Sequence, residues 1–279
     1  MKYERVLIIS KPLEDAMTQV FMEAIDNFYT NRDVPVGYGN MPTKFEEPLL
    51  IIAVGGDGTM LGAMREALYH ENTMVLGINT GTLGFLSDDF YDTECLFKWL
   101  QDIDDDNFII DERMTLSGNI YINDKHIRDT IAINELALTA GSIRTPLEVK
   151  TKINDKFVST SSGTGVLVAT ATGSTAMSLS SGGAIVSPST NIMQIVPMMA
   201  HTLTARPIIT TGRDVITLMA NLGKHEQIEV YGDGQKRMVL NESLGNRIRV
   251  HIFKNNKKIK IIRPKDWNFF NVLSKKMKW

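Results

Sequence analysis

Apolar residues fall along the first third of the chain in two alternating rhythms. Short unbroken runs at 6–10, 49–54 and 74–78 have the length and the branched side chains of buried strands. Between them the apolar residues recur at helical spacing. Leu13, Met17, Val20, Phe21, Ala24, Ile25 and Phe28 mark one helix, and Met60, Leu61, Met64, Ala67 and Leu68 mark a second over 59–69. A third is expected over 93–101. Such alternation predicts a parallel α/β sheet, whose ligands sit outside the carboxyl ends of the strands. The acidic run 102–106 reads as a helix end and a domain edge. Beyond it the rhythm shortens to that of strands, at 116–122, 127–133, 147–153, 166–169, 215–220, 227–231, 238–241 and 247–253. Asn123-Asp124, Asn154-Asp155 and Asn255-Asn256 suit hairpin turns. From 267 onward helical spacing returns with Phe269, Phe270, Val272, Leu273 and Met277. The expected architecture is an α/β N-terminal domain with a parallel sheet (1–106), a β-rich C-terminal domain (107–264) and a C-terminal helix (265–279) returning to the first domain.

Composition narrows the class. The 279 residues are 43% hydrophobic and 22% charged, which suits a soluble globular protein with a sizeable core. A net charge of −2 does not suggest a nucleic-acid or membrane-surface partner. No apolar run reaches the roughly 18 residues of a membrane span, and the first apolar stretch is too short for a signal peptide. The single cysteine, Cys95, forms no internal disulfide and reads as a small core residue in a helical pattern. A reducing compartment, the cytoplasm, is the expected location.

The chemistry concentrates where the run Ile51-Ile52-Ala53-Val54 stops at Gly55-Gly56-Asp57-Gly58-Thr59. Glycines let the backbone approach an anion, and the amides of a loop that opens a helix point toward it. Gly55, Gly56, Gly58 and Thr59 are therefore candidate phosphate ligands. Asp57 repels phosphate unless it binds a bridging metal or takes a proton from an attacking hydroxyl, and both uses point to phosphoryl transfer. A glycine-rich turn with a capping aspartate is the plainer alternative. Asn79 also lies just past a strand end and is placed to share a crevice with Asp57. A second constellation, 170–184, is dense in hydroxyls and small residues. It suits either a ribose and phosphate ligand or a helix N-cap with a close-packed face. Asn134-Glu135 is a polar pair inside an apolar run, and its burial is costly unless satisfied. Arg65, Arg206 and Arg213 are candidate cations. The five histidines lack metal-ligand spacing. A Walker-A sequence, a GxGxxG fingerprint and a GxSxG elbow are all missing from the sequence.

Together these segments resemble the NAD kinase family. Residues 55–59 are similar to its GGDGT loop, and 79–86 to its N-x-G-x-L-G-F-L segment. Asn134-Glu135 resembles its asparagine–acid pair, and 170–188 its T-P-T-G-S-T-A-Y…S-x-G-G-P region. Residues 200–207 and 269–279 fit as well, so the resemblance spans nearly the whole chain. It implies a two-domain enzyme, its active site between the domains, that moves the terminal phosphate of ATP, or of inorganic polyphosphate, to the adenosine 2′-hydroxyl of NAD. A divalent cation, usually magnesium (Mg2+), assists. Asp57 would be the catalytic base or metal-linked carboxylate. Asp57, Gly58, Phe85, Asn134, Glu135, Thr164, Thr172, Thr175, Ala176, Met177 and Ser180 would line the NAD site. A homodimer or homotetramer is implied.

The chain departs from that pattern in four places. Thr164 stands where the family usually has an aspartate, Met177 where it has an aromatic, Ala171 where it has a proline, and Thr80 where a cation is common. These leave open the choice between NAD and NADH. Two rival readings stay open with them. One is a lipid or sphingoid kinase sharing the glycine-rich loop, which the hydroxyl-dense run disfavours. The other is a non-catalytic dinucleotide-binding regulator, suggested by Thr164 and Met177.

Overall fold

The structure, a computed structural model, describes residues 3–10, 16–40, 46–90, 92–142, 144–201 and 204–279. The chain begins β1 (Arg5–Ser10), α1 (Ala16–Thr30), β2 (Val36–Tyr38), β3 (Leu49–Val54), α2 (Asp57–Ala67), β4 (Thr73–Asn79), β5 (Asp88–Asp89), α3 (Thr93–Asp104) and β6 (Ile109–Arg113). Next come β7 (Leu116–Ile122), β8 (Lys125–Ala132), β9 (Glu135–Ala140), β10 (Leu147–Ile153), β11 (Lys156–Gly163) and β12 (Gly165–Thr170). A 3-10 turn (Thr172–Thr175) and the short α4 (Met177–Ser180) precede β13 (Ile192–Met198), β14 (Ile208–Thr211), β15 (Ile216–Asn221) and β16 (Ile228–Gly232). The chain ends with β17 (Gln235–Leu240), β18 (Arg247–Lys254), β19 (Ile259–Arg263) and α5 (Phe269–Met277). It divides into two compact units, Met1–Arg113 with Lys258–Trp279, and Met114–Lys257.

The first unit is built on a seven-stranded sheet, in order β2-β1-β3-β4-β19-β6, with β5 beside β4. All pairs are parallel except β19 with β6. Every residue of β3 is buried, as a central strand covered on both faces requires. Helices α1 and α3 close one core with Phe21, Ile25, Leu96 and Trp99 against Leu50, Ile52 and Leu76. Helix α2 lies against β3 and β4. Two details of the expected helices differ. Met17 and Val20 are 42% and 47% exposed, because the buried stripe of α1 runs through Phe21, Ala24, Ile25 and Phe28; Leu13 lies outside the described residues. Helix α2 starts at Asp57, two residues earlier than the apolar spacing predicts.

The second unit is all antiparallel. Its two six-stranded sheets run β11-β10-β15-β18-β7-β8 and β14-β13-β12-β9-β16-β17. Their inner faces share one core, in which Leu116, Ile120 and Val250 meet Leu138, Val168 and Val230. Strand β7 alternates buried and half-buried positions, as a one-sided strand must. Strands β9 and β12 are buried throughout. The outer face of this sheet packs Ala137, Leu167, Ala169 and Val196 with Met177 and Tyr231.

Asn123-Asp124 and Asn154-Asp155 both have positive φ (47° and 68°, 48° and 62°), as tight hairpin turns demand. Asn255-Asn256 does not close a hairpin: β18 pairs with β15 and β7, whereas β19 belongs to the other unit's sheet. The units therefore break at 113/114 and 257/258 rather than at 106/107 and 264/265. The reason is that β6 and β19 pair with each other and β19 extends the parallel sheet, Ile261 opposite Val75. The C-terminal helix belongs to the first unit. Cys95 is exposed on α3 rather than in the core, which Leu96 and Trp99 enter instead. Among the described residues no helix is long and apolar enough to cross a membrane.

Candidate active site

The loop after β3 is shaped by its glycines. Gly55 has φ +154°, and a Cβ there would fall 2.4 Å from the Thr59 hydroxyl. Gly56 caps α2 with no side-chain bond, and the first intrahelical bond runs from Met60 N to Gly56 O at 3.1 Å. The amides of Asp57, Gly58 and Thr59 thus have no acceptor within the helix, and the helix dipole favours an anion beside them. A Cβ on Gly56 or Gly58 would meet nothing within 4 Å, so a ligand has open access to this backbone.

Asp57 does not cap its own helix. Its Oδ2 accepts from Phe85 N at 2.9 Å and its Oδ1 from Leu86 N at 3.0 Å. The loops after the adjacent parallel strands β3 and β4 are thereby joined through Asp57. Asn79 itself is 5% exposed and spans its own loop, donating to Thr82 O (3.0 Å) and Asp89 Oδ1 (2.6 Å). Gly84 is essential to this closure, because a Cβ there would lie 2.2 Å from Asp57 Oδ1. The sequence reading named the Asn79 segment but gave Gly84 no role.

In the second unit, Asn134 and Glu135 lie at the junction of β8 and β9. Thr170 ties the hydroxyl-rich run to them: its N donates to Asn134 O (2.8 Å) and its Oγ1 to Ile133 O (2.7 Å), while Gly173 N donates to Thr170 Oγ1 (3.0 Å). Gly173 comes so close that a Cβ would sit 2.1 Å from Asn134 O. Asp233 holds the bend from the other side, accepting from Ile133 N (2.9 Å) and Asn134 N (2.7 Å). Glu135 is 4% exposed, and its Oε2 has no hydrogen-bond partner among the described residues. Burial, and then the charge of Asp233, pushes its pKa up to about 7.

Several hydroxyls of the run are taken up by the fold, that of Thr175 by Thr172 O at 3.3 Å. Ser174 bonds Val186, and Ser178 accepts from Gln194 Nε2 at 2.6 Å, so both serve the fold. Thr172 is buried beside Gly173; Thr175, Ala176 and Met177 are half-buried, and Ser180 is exposed. Thr164 and Ser180 line a cavity of 610 Å³ with Met198, Arg206 and Pro207. Arg65 lies in the last turn of α2, about 12 Å along the axis from Asp57 at 1.5 Å per residue, so it is remote from the loop. Arg213 is exposed next to β14. His70 is buried against Glu66, His126 pairs with Asp129, and His251 with Thr217. Among the described residues no three His, Cys, Asp or Glu side chains converge as a metal site.

A buried ionic group escaped the sequence reading. Arg263, fully buried, donates to Asp88 Oδ1 at 2.8 Å, and Arg113 donates to Asp111 Oδ1 at 2.8 Å. Trp267 covers Arg263 at 4.6 Å. Burial raises the Asp88 pKa, against the lowering effect of Arg263. The available signal was charge inside apolar runs, at 109–114 and 259–263.

Residues 44–108 match the family model of the ATP-NAD kinase N-terminal domain, and 133–264 that of the ATP-NAD kinase C-terminal domain. The chain is 37% identical over 230 residues to the NAD kinase of Photobacterium profundum, covering 82% of this chain and 76% of that one. It is 36% identical over 248 residues to the NAD kinase of Salmonella dublin, covering 89% and 82%. Its fold is similar to that of yeast NADH kinase solved with NADH (TM-score 0.80, 21% identity, covering 99% and 88%). It is likewise similar to an NAD kinase from Archaeoglobus fulgidus solved with ATP (TM-score 0.75, 21% identity, covering 98% of each chain).

Proposed function

The chain belongs to the NAD kinase family of phosphotransferases, and from this premise we propose that it transfers the terminal phosphate of ATP to the adenosine 2′-hydroxyl of NAD, giving NADP and ADP. One observation carries the reading: Asp57 is held by two amides of a neighbouring loop, at the carboxyl ends of parallel strands, beside an uncapped helix start and two open glycines. The amides of Gly56, Gly58 and Thr59 bind the donor phosphates, whereas Gly55 N donates to Ile78 O at 2.9 Å and only shapes the turn. The acceptor oxygen attacks the terminal phosphorus, ADP leaves, and Asp57 takes the proton from the hydroxyl. Within the second unit, Asn134, Glu135, Thr172, Thr175 and Ala176 hold the dinucleotide, together with Thr164, Met177 and Ser180. Positioning and charge neutralisation supply most of the rate.

Asp57 is the one carboxylate of its loop, which suits a divalent cation held chiefly by the nucleotide's own phosphates rather than by a protein cage. Bound there, Mg2+ would neutralise phosphate charge. ATP is favoured over polyphosphate as donor because a relative of the same fold was solved with ATP. Family membership sets aside the lipid or sphingoid kinase reading.

The test is to incubate purified protein with magnesium, either ATP or polyphosphate, and either NAD or NADH, then to assay the 2′-phosphorylated product. NADP from ATP and NAD is expected. NAD binding by calorimetry with no product from either donor would overturn the reading. A homodimer or homotetramer working in the cytoplasm belongs to the same proposal; light scattering and imaging of a tagged chain test it.

A further inference from the structure

We propose that Lys276, on the C-terminal helix, is a positioning residue for the acceptor site: it steadies the loop that holds Asp57. The inference rests on the reading above, in which Asp57 serves the acceptor. Residues 80–87 link β4 to β5 without a helix or strand of their own, yet they supply both amides that grip the Asp57 carboxylate. Such a loop needs external supports. Asn79 braces its start through Thr82 O and Asp89, and Arg263 fixes Asp88 at its end. Its middle, just ahead of Phe85, is met by Lys276. The Lys276 ammonium donates to Leu83 O and stands 5.7 Å from the centre of the Phe85 ring. One cation thus holds a carbonyl two residues before Phe85 and the ring of Phe85 itself.

The mount is firm enough for this. Phe269 and Leu273 bury the inner side of α5, Asn268 caps its start by accepting from Phe270 N at 2.8 Å, and Trp267 just before it lies over the buried Arg263. Lys276 is therefore carried on an anchored helix while its charge reaches the loop. Lys275 precedes it in the same last turn; both side chains are exposed, but it is Lys276 that meets Leu83 O and the Phe85 ring. Both lysines complement the helix dipole equally well, so a comparison of the two separates a general dipole effect from loop support.

The experiment compares Lys276→Met, Lys276→Arg and Lys275→Met in the full chain, with two readouts. Steady-state kinetics give KM and kcat with NAD and ATP varied separately. Hydrogen exchange follows the amides of Phe85 and Leu86. In Lys276→Met, kcat/KM for NAD should fall about two- to fivefold and both amides should exchange about two- to fivefold faster, while KM for ATP is unchanged. Lys276→Arg should restore most of both, and Lys275→Met should behave as the parent. Unchanged exchange at Phe85 and Leu86 in Lys276→Met overturns the proposal. So does altered exchange with unaltered NAD kinetics, or a Lys275→Met variant equal to Lys276→Met. A parent protein that makes no NADP sinks the kinase reading instead, and exchange alone still reports whether Lys276 steadies the loop.

Discussion

Asp57 follows the carboxyl end of β3, and each of its oxygens accepts a main-chain N–H from the neighbouring loop. Glu135 opens β9 in the other unit, is almost fully buried, and among the described residues finds no donor for Oε2 while it feels the charge of Asp233. The contrast lies in what surrounds each carboxyl. Two amides fix the direction of the Asp57 oxygens and leave lone pairs for an incoming proton, which is the geometry of a general base. Glu135 meets burial and a like charge instead, so it holds its proton through much of the neutral range and can donate as well as accept. The first arrangement suits a reacting group; the second suits a group that reads a ligand's hydrogen-bonding edge.

The strongest way to break this comparison is Asp57→Asn. An amide at this position retains the shape but cannot take the proton. Turnover should fall about 10²–10⁴-fold, with the circular dichroism spectrum unchanged. The exchange also sets an NH₂ group against one backbone donor, so the melting temperature should fall slightly. Near-normal turnover would remove Asp57 from the role of base.

Gly84→Ala is the next largest test. Its Cβ would fall 2.2 Å from Asp57 Oδ1, so either the carboxylate or the loop must move. A misplacement of this order at a reacting group costs about 10²-fold, and kcat should fall by about that much while NAD still binds. If kcat is kept, the grip of Phe85 and Leu86 on Asp57 has no catalytic importance.

How far the sequence announced all this depends on how local each feature is. Strand β3 and the loop after it were legible because a branched apolar run ending in three glycines and a carboxylate has few other uses. Helix α2 began earlier than expected because Asp57 and Gly58 break no helix and simply carry no apolar signal. Strands β2, β5, β6, β11, β13, β14 and β19 went unread: β11 is mostly Ser, Thr and Lys, and β19 finds its partners in β4 and β6, about 150 to 190 residues away in sequence. The same distance hid Asp233, whose value lies in receiving amides a hundred residues upstream. The run 170–184 was half legible. Its richness in hydroxyls was plain, but only the pairing of Ser174 with Val186 and of Ser178 with Gln194 tells structural hydroxyls from those left for a ligand.

Glu135→Gln sharpens the comparison with the smallest effect. Burial pushes the Glu135 carboxyl up to about 7 in the folded chain from its ordinary value of 4.5. Between those values the native state binds more protons than the unfolded state, so the Glu135 contribution to stability is fully present below pH 4.5 and is lost as pH rises through about 7. Above pH 7 the ionised, unmatched group costs up to about 3 kcal/mol. Glutamine has nearly the same shape and no proton to lose. In urea unfolding, the variant should match or trail the parent at pH 5 and exceed it by about 1–3 kcal/mol at pH 8, while KM for NAD rises severalfold. Every other titrating group is common to both chains, so the difference between them isolates this one carboxyl. A difference that does not change from pH 5 to pH 8 would mean that Glu135 is already ionised and matched by donors, and the contrast between the two carboxyls would vanish.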